Sequence, residues 1–247
     1  MDRRIIELAY THKLGHIGSS LTTLPILDYI YQVKKPGDLV ILSAGHGGMA
    51  LYACLEKYEG RDADALLTKH GVHPHMDPEN GIPISSGSLG SAILAAVGFA
   101  FANRSRDVHV VISDGECAEG SVWEALAFAS KARLDNLIVH VNINGYSAYD
   151  SVSRWPLVLR LKSFLWPTRI WFTKLPDVPF MQGLQAHYHV LSEDNKDEII
   201  NYLNNAEAIR SDASRSYEKR FTDFFDYCRS GLRNFGRYSS GLPGPVC

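Results

Sequence analysis

The feature that most constrains this 247-residue chain is a pair of apolar, β-branched runs separated by one amphipathic segment. The runs are VHVVIS at 108–113 and LIVHVNI at 137–143, with EGSVWEALAFASKA between them. Nearly continuous apolar runs are typical of parallel strands covered on both faces. The segment between them has helical spacing, so the stretch predicts a βαβ unit. We therefore expect a three-layer α/β fold, with a mostly parallel sheet and flanking helices.

Further elements are predicted on both sides of this unit. LVILS at 39–43 is another strand, and TRIWFT at 168–173 is a strand candidate in a Pro- and Trp-rich stretch that follows residue 150. A helix is expected after Ser192, a good N-cap residue. We place the main domain at 1–205 and a helical tail at 206–247. Apolar spacing predicts the other helices at 3–14, 20–33, 47–58, 61–69, 88–103 and 119–132.

Composition argues against several classes of partner. The net charge of −2 provides no basic field for nucleic acid or for an anionic membrane surface. The longest apolar stretch, AILAAVGFAFA, is too short to span a bilayer. The charged start of the chain does not resemble a signal peptide, and the four cysteines have neither metal-binding spacing nor a disulfide pattern. These features predict a cytoplasmic protein that binds neither nucleic acid nor membranes.

Two polar residues stand where the apolar strands of the βαβ unit end. Asp114 follows the first strand and Asn144 follows the second. Parallel strands end at one edge of the sheet, where α/β proteins bind ligands, so the two side chains can converge. Their oxygens suit Mg²⁺ or Ca²⁺, Gly115 allows close approach of a phosphate, and a helix starts near Glu119. An Asp-Gly turn without a ligand accounts for the same residues, and this pattern alone leaves both interpretations open.

Five stretches resemble segments of the transketolase family, in the same order along the chain. The region around Asp114 resembles the thiamine diphosphate motif, with Asp-Gly, EG, WEA, LDNL and Asn-Gly in succession. The similarity covers about residues 5–195 and implies the thiamine diphosphate-binding fold. The other four stretches are GHIGSSL at 15–21, LSAGHGGMALYACL at 42–55, HPHMDPENGIPISSGSLG at 73–90 and PFMQGLQAHYHVLSED at 179–194.

The resemblance assigns a metal and diphosphate site at the sheet edge. It implies that Asp114, Asn144 and the backbone carbonyl of Tyr146 hold Mg²⁺ or Ca²⁺, which bridges the diphosphate of thiamine diphosphate. The amide of Gly115 would contact the diphosphate directly.

The resemblance also assigns residues around the rest of the cofactor. Gly87 and Leu89 would line the aminopyrimidine and the thiazolium. Glu119 and Glu124 resemble the acidic pair through which transketolase active sites meet at a dimer interface.

Four of the ten histidines lie in family motifs and are catalytic candidates: His16, His46, His73 and His187. In the family, such histidines surround the thiazolium C2 and the first hydroxyls of the sugar. Imidazole suits these roles because it donates and accepts hydrogen bonds near neutral pH. His75 competes with His73, although spacing to Gly81 favours His73, and His189 competes with His187. We expect structural roles for His12, His70, His75, His109, His140 and His189.

The chain departs from the family pattern in several places. Ser113 replaces the first glycine of the Gly-Asp-Gly turn. Ala186 and Tyr188 replace the tryptophan and glycine of a Trp-His-Gly segment. The region at 150–178 is shorter than in the family. These departures are the features that favour a degenerate, non-catalytic subunit.

Complete transketolases carry two further domains, and no carboxylate here matches the glutamate that their second domain supplies to the aminopyrimidine. The resemblance therefore implies one subunit of a split transketolase, active only with a separate pyrimidine-binding subunit in an α₂β₂ assembly. The expected reaction moves a two-carbon ketol unit from a ketose to an aldose. The alternatives are a degenerate scaffold subunit and another thiamine enzyme, such as a deoxyxylulose phosphate synthase or a 2-oxoacid decarboxylating subunit.

Overall fold

A computed structural model describes residues 1–147, 150–164, 168–182 and 187–205. The chain divides into two compact units, Met1–Tyr202 and Leu203–Cys247. The helical tail predicted at 206–247 lies outside the described residues, and the fold presented below is that of the first unit.

Four parallel strands form one sheet, in which every strand pairs with its neighbours in chain order. Ser113 pairs with Asn142, so the second and third strands end side by side. The α/β fold with a parallel sheet, predicted from the apolar runs, is confirmed. The strands are β1 (Leu39–Leu42), β2 (Val108–Ser113), β3 (Leu137–Ile143) and β4 (Thr168–Phe172).

Seven helices with defined bounds accompany the sheet in the described part of the chain, and a further helix starts at 193, directly after Ser192. None of the described helices is both long and apolar enough to cross a membrane. Six of the seven correspond to predicted helices, with small shifts at their ends. The helices are α1 (Asp2–Thr11), α2 (Ile17–Val33), α3 (Gly48–Glu59), α4 (Ala63–His70), α5 (Ala92–Ala102), α6 (Gly120–Ala132) and α7 (Arg154–Lys162).

Helix α7 was not predicted from the sequence. It contains Pro156 and lies within a stretch rich in proline, which is the poorest helix former. Pro156 is the third residue of the helix. The first-turn N–H groups have no intrahelical partner, so proline is tolerated there.

Helices α5, α6 and α7 cover one face of the sheet. Side chains alternate between the two faces of a strand, and every second strand residue packs into this core. The strand residues on this face are Ile41, Val108, Val110, Ile112, Leu137, Val139, Val141 and Ile143, all buried.

Helix α2 covers the opposite face and contacts β2 and β3. The amide of Asn142 on β3 donates to the hydroxyls of Thr22 and Thr23, at 3.2 and 3.3 Å. The sheet is therefore sandwiched between helical layers, and the α2 side contains buried polar contacts.

Two buried histidines lie on the α2 face of the sheet. Nε2 of His140 lies 3.2 Å from Nδ1 of His109, and the indole N–H of Trp171 donates to Nδ1 of His140 at 3.2 Å. Because Nδ1 accepts this hydrogen bond, neutral His140 carries its hydrogen on Nε2 and donates it to His109. Burial lowers the pKa of His140 to about 3, so it stays neutral. The hydrogen bonds of both histidines are internal to the fold, in keeping with the structural roles expected from the sequence.

Candidate functional site

The ends of β2 and β3 bring Asp114 and Asn144 together. Oδ2 of Asp114 accepts the backbone N–H of Gly145 at 2.7 Å, so the carboxylate lies against the residue that follows Asn144. Oδ1 of Asp114 accepts the N–H of Gly115 at 3.1 Å. Oδ1 of Asn144 accepts the N–H of Tyr146 at 2.9 Å. The two strand ends thus lie side by side, and the Asp114 carboxylate contacts the loop that carries Asn144.

The Asp114 carboxyl is poorly solvated and has lone pairs beyond those that accept its backbone hydrogen bonds. Asp114 is 2% exposed, and burial raises the pKa of its carboxyl to about 6, although three backbone amides act to lower this pKa. A carboxylate has about four lone-pair positions, so the amides of Gly115 and Gly145 leave some of them open. A cation placed there would favour the ionised form.

A cavity of about 420 Å³ opens at this edge of the sheet. None of the described residues that line it is a lysine or an arginine. Asp114 is not itself a lining residue, but its chain neighbours Ser113 and Gly115 are. Glu119 and Glu124 do not line the cavity and are exposed on the surface. Most of the residues predicted for the site line the cavity: His16, His46, His73, Gly87, Leu89, Gly115, Asn144, Tyr146 and His187.

The four candidate histidines form a cluster around His16. Its ring centroid lies 4.3 Å from that of His187, 5.8 Å from that of His73 and 6.2 Å from that of His46. The backbone N–H of His16 donates to the carbonyl of His187 at 3.0 Å, which joins the start of α2 to a distant segment. In the described part of the chain, no three His, Cys, Asp or Glu side chains are grouped to hold a metal ion. The cluster is therefore best described as a set of hydrogen-bonding groups.

Burial keeps these imidazoles neutral. Burial, together with the neighbouring histidines, lowers the pKa of His46 to about 3 and that of His16 to about 4. The pKa values of His73 and His187 are lowered for the same reasons. A neutral imidazole offers one donor and one acceptor, which suits the hydroxyl groups of a sugar.

The other histidines have partners outside the cavity. His12 contacts Asp64 at 2.8 Å, His70 contacts Asp77 at 3.0 Å, and His189 contacts Asn195 at 2.9 Å. Neither His75 nor His189 is among the described residues that line the cavity. The geometry thus favours His73 over His75 and His187 over His189.

Close backbone contacts shape the cavity wall. A Cβ on Gly45, in the turn after β1, would lie 2.6 Å from the backbone nitrogen of Gly87. Gly87 itself has φ +122°, and a Cβ there would lie 2.9 Å from the ring of His73. The turn after β1 and the SSGSLG loop at 85–90 therefore touch through backbone atoms. A side chain at either glycine would therefore disturb this part of the wall.

One buried carboxylate at the site was missed by the sequence analysis. Glu116 is fully buried, and its Oε1 accepts from the Ser43 hydroxyl at 2.6 Å and from the Gly90 N–H at 3.0 Å. Its Oε2 accepts the N–H of Ser113 at 3.1 Å. It thereby joins the ends of β1 and β2 to the SSGSLG loop. The signal in the sequence was its position in the turn directly after Asp114 and Gly115.

The fold and the site together define a class of protein. An all-parallel sheet carries a buried carboxylate and an amide at its carboxyl edge, beside a cavity whose described lining has no cationic side chain. These features define an α/β protein with a polar ligand-binding cavity at the carboxyl edge of its sheet. The model of the family described as "Transketolase, thiamine diphosphate binding domain" matches residues 11–158, and the chain belongs to this family.

Curated relatives include subunits of transketolases. The chain is 36% identical over 151 residues to 6-deoxy-6-sulfo-D-fructose transketolase subunit SqwG of Clostridium sp. (strain MSTE9), covering 53% of this chain and 55% of that one. It is 30% identical over 164 residues to an apulose-4-phosphate transketolase subunit of Phocaeicola vulgatus, covering 58% and 57%. The chain thus spans little more than half of these two relatives.

Two further matches concern longer proteins. The chain is 34% identical over 143 residues to 1-deoxy-D-xylulose-5-phosphate synthase of Fusobacterium nucleatum, covering 56% of this chain and 23% of that one. The structure of transketolase from Leishmania mexicana matches with a TM-score of 0.65 at 20% identity, over 81% of this chain and 40% of that one. At this identity the structural match supports the fold alone.

Proposed function

We propose that this chain is the diphosphate-binding subunit of a transketolase-like transferase that is completed by a separate pyrimidine-binding subunit. The two relatives named as transketolase subunits support a split enzyme. The reaction would transfer a two-carbon ketol unit between sugars or sugar phosphates.

The contact between Asp114 and Gly145 carries the proposal, because it places the carboxylate beside Asn144. Asp114, Asn144 and the backbone carbonyl of Tyr146 would hold Mg²⁺ or Ca²⁺, both of which prefer oxygen ligands. The described lining of the cavity has no lysine or arginine, so a bound cation would offset the charge of the diphosphate. The amide of Gly115 would face the diphosphate. Gly87 and Leu89 would lie against the cofactor rings.

Thiamine diphosphate would supply the nucleophilic carbon at which a carbon–carbon bond of the sugar is broken and formed. The four histidines of the cavity would do the remaining work of this chain. Neutral His16, His46, His73 and His187 can each accept a proton at one nitrogen and donate from the other. They would orient sugar hydroxyls and transfer protons to and from them.

Exposed groups on α5 and α6 support an interface for self-association in an α₂β₂ assembly. Phe101 and Phe128 are 55% and 47% exposed, and their ring centroids are 5.7 Å apart. Glu119 and Glu124 are exposed at the start of α6 and within it, where an acidic pair could meet its counterpart.

The proposal includes a cytoplasmic location. A reducing compartment is compatible with Cys54 and Cys117, which are both free thiols.

The decisive experiment replaces the proposed metal ligand. We expect Asp114→Ala to abolish Mg²⁺-dependent binding of thiamine diphosphate, measured by calorimetry with the partner subunit present, while circular dichroism shows an intact fold. Asp135→Ala removes an equal charge from an exposed position after α6 and should leave binding unchanged. Unchanged affinity in Asp114→Ala would remove the metal assignment.

A deoxyxylulose phosphate synthase-like reaction is the second candidate, and the similarity to the Fusobacterium nucleatum enzyme favours it. Product analysis of the two-subunit enzyme separates the candidates. Turnover of hydroxypyruvate with an aldose supports ketol transfer, whereas decarboxylation of pyruvate supports the alternative. A scaffold subunit would show no Mg²⁺-dependent binding of thiamine diphosphate even with its partner.

A further inference from the structure

One peptide group links the surface of the molecule to the buried Asp114. The carbonyl of Asn144 accepts from Nη2 of Arg154 at 3.0 Å. The N–H of the same peptide group, which belongs to Gly145, donates to Oδ2 of Asp114 at 2.7 Å. Arg154 therefore bonds the carbonyl of this peptide group, and Asp114 bonds its N–H.

The fit of Arg154 against this peptide depends on a glycine. Gly145 has φ +91°, and a Cβ added there would lie 3.1 Å from Nη2 and 3.2 Å from Nε of Arg154. The guanidinium thus lies directly over the glycine. A side chain at this position would be strained and would also push Arg154 away.

Arg154 stands where the loop after β3 closes on itself. The carbonyl of Gly145 accepts the N–H of Val152 at 2.9 Å, and Tyr146 forms a bridge with Ser151. Arg154 is the first residue of α7 and is exposed. The loop that carries Asn144 and Tyr146 is therefore fastened to the start of α7, and replacing an exposed residue there should leave the fold intact.

We propose that Arg154 is a positioning residue for the metal and diphosphate site. Its charge-assisted hydrogen bond fixes the Asn144–Gly145 peptide and polarises it, which strengthens the bond from Gly145 to Asp114. The orientation of that peptide sets where Asn144 presents its side chain. This inference rests on the proposed function for its ligand, although the positioning itself is a property of the chain without cofactor.

The first test measures amide hydrogen exchange of Gly145 in the full chain without cofactor. We expect Arg154→Ala to raise the exchange rate of this amide at least about tenfold, because its hydrogen bond is weakened. The control is Arg160→Ala, which removes the same charge from the same helix. The Arg160 guanidinium lies 4.1 Å from the ring of Trp123, away from this peptide. Unchanged exchange at Gly145 in Arg154→Ala overturns the proposal.

The second test measures Mg²⁺-dependent affinity for thiamine diphosphate with the partner subunit present. Loss of a residue that orients metal ligands typically lowers affinity about 10- to 100-fold, and we expect this for Arg154→Ala. Arg154→Lys, which keeps a charged donor, should recover part of the loss. An equal loss in Arg160→Ala would show a general charge effect and overturn the proposal. If the unmodified protein binds no cofactor, the proposed function fails, while the exchange result still decides the role of Arg154.

Discussion

Glu116 shows how one side chain holds together three segments of a cofactor site. Its two oxygens accept from Ser43, Gly90 and Ser113, which follow β1, close the SSGSLG loop and end β2. Burial raises the pKa of this carboxyl, whereas the three donors act to lower it. Because all three partners are donors in this arrangement, an acceptor is required at both oxygens.

We predict that Glu116→Gln destabilises the protein although it preserves the size of the side chain. The amide –NH₂ would face one of the donors and leave it unsatisfied, at a cost of about 1–3 kcal/mol in the free energy of unfolding. Urea unfolding monitored by circular dichroism measures this. Glu124→Gln, the same change at an exposed position of α6, should stay within about 0.5 kcal/mol of the unmodified protein. Equal stability of both variants would contradict the role given to Glu116.

At this scale, the sequence predicts the residues whose position follows from strand order. Asp114 and Asn144 could be placed together because each directly follows a recognisable strand. Glu116 and Arg154 could not, since a glutamate in a polar turn and an arginine in a proline-rich stretch are most often solvated. Their partners lie in other segments, and only the folded backbone brings them into contact.

Among the elements, the turn after β1 and the SSGSLG loop depend on backbone contact. Gly45 approaches Gly87 so closely that a side chain on Gly45 would require the two segments to separate. Gly98, in the middle of α5, has open space around it and does not need to be glycine for packing. The two glycines therefore form a matched pair for mutation.

We predict opposite effects of the same substitution at these two positions. Gly45→Ala should lower the free energy of unfolding by about 1–3 kcal/mol, because it overpacks a contact between backbones. Gly98→Ala should raise it by about 0.5–1 kcal/mol, because alanine is the better helix former. Thermal unfolding of the two variants provides the measurement. A stabilised Gly45→Ala variant would show that the two segments can move apart freely.

The predictability of the elements follows their chemistry. The strands β2 and β3 match the sequence prediction at both ends because their apolar runs are bounded by polar residues. The start of α5 was predicted at 88 and lies at Ala92, because the preceding glycine-rich loop has no helical periodicity to mark the boundary. Helix α7 was not predicted because Pro156 is a poor helix former. The helix is held in place by Leu157 and Leu161, which pack into the core beneath the sheet.

Across the whole molecule, buried titratable groups link stability to pH. Burial lowers the pKa values of six histidines, whose unfolded values lie near 6.5. Below that pH the unfolded chain binds protons that the folded chain excludes. The free energy of unfolding therefore decreases as the pH is lowered. Asp114 and Glu116 act in the opposite direction, because their raised pKa values let the folded state bind protons first. The six histidines are His16, His46, His73, His109, His140 and His187.

Since six groups oppose two, we predict that the cofactor-free chain loses about 2–4 kcal/mol of unfolding free energy between pH 7 and pH 5. The loss should continue at least to about pH 3, the folded-state pKa of His46 and His140. Urea unfolding at several pH values measures the slope. Calorimetry in buffers of different ionisation enthalpy should detect net proton uptake on unfolding near pH 5.5. A flat or rising stability on acidification would show that these histidines are solvated.

The order of the elements makes one face of the sheet depend on residues at the start of the chain. The sheet runs from β1 to β4 without reversal, and α5, α6 and α7 all pack on one side of it. The opposite side is covered by α2, which precedes β1 in the chain. A truncation that removes the residues before β1 would remove α2. It would expose Asn142 and the paired imidazoles of His109 and His140 on this face of the sheet. A shortened version that begins at β1 is consequently a poor choice for expression, however complete its cofactor motifs look.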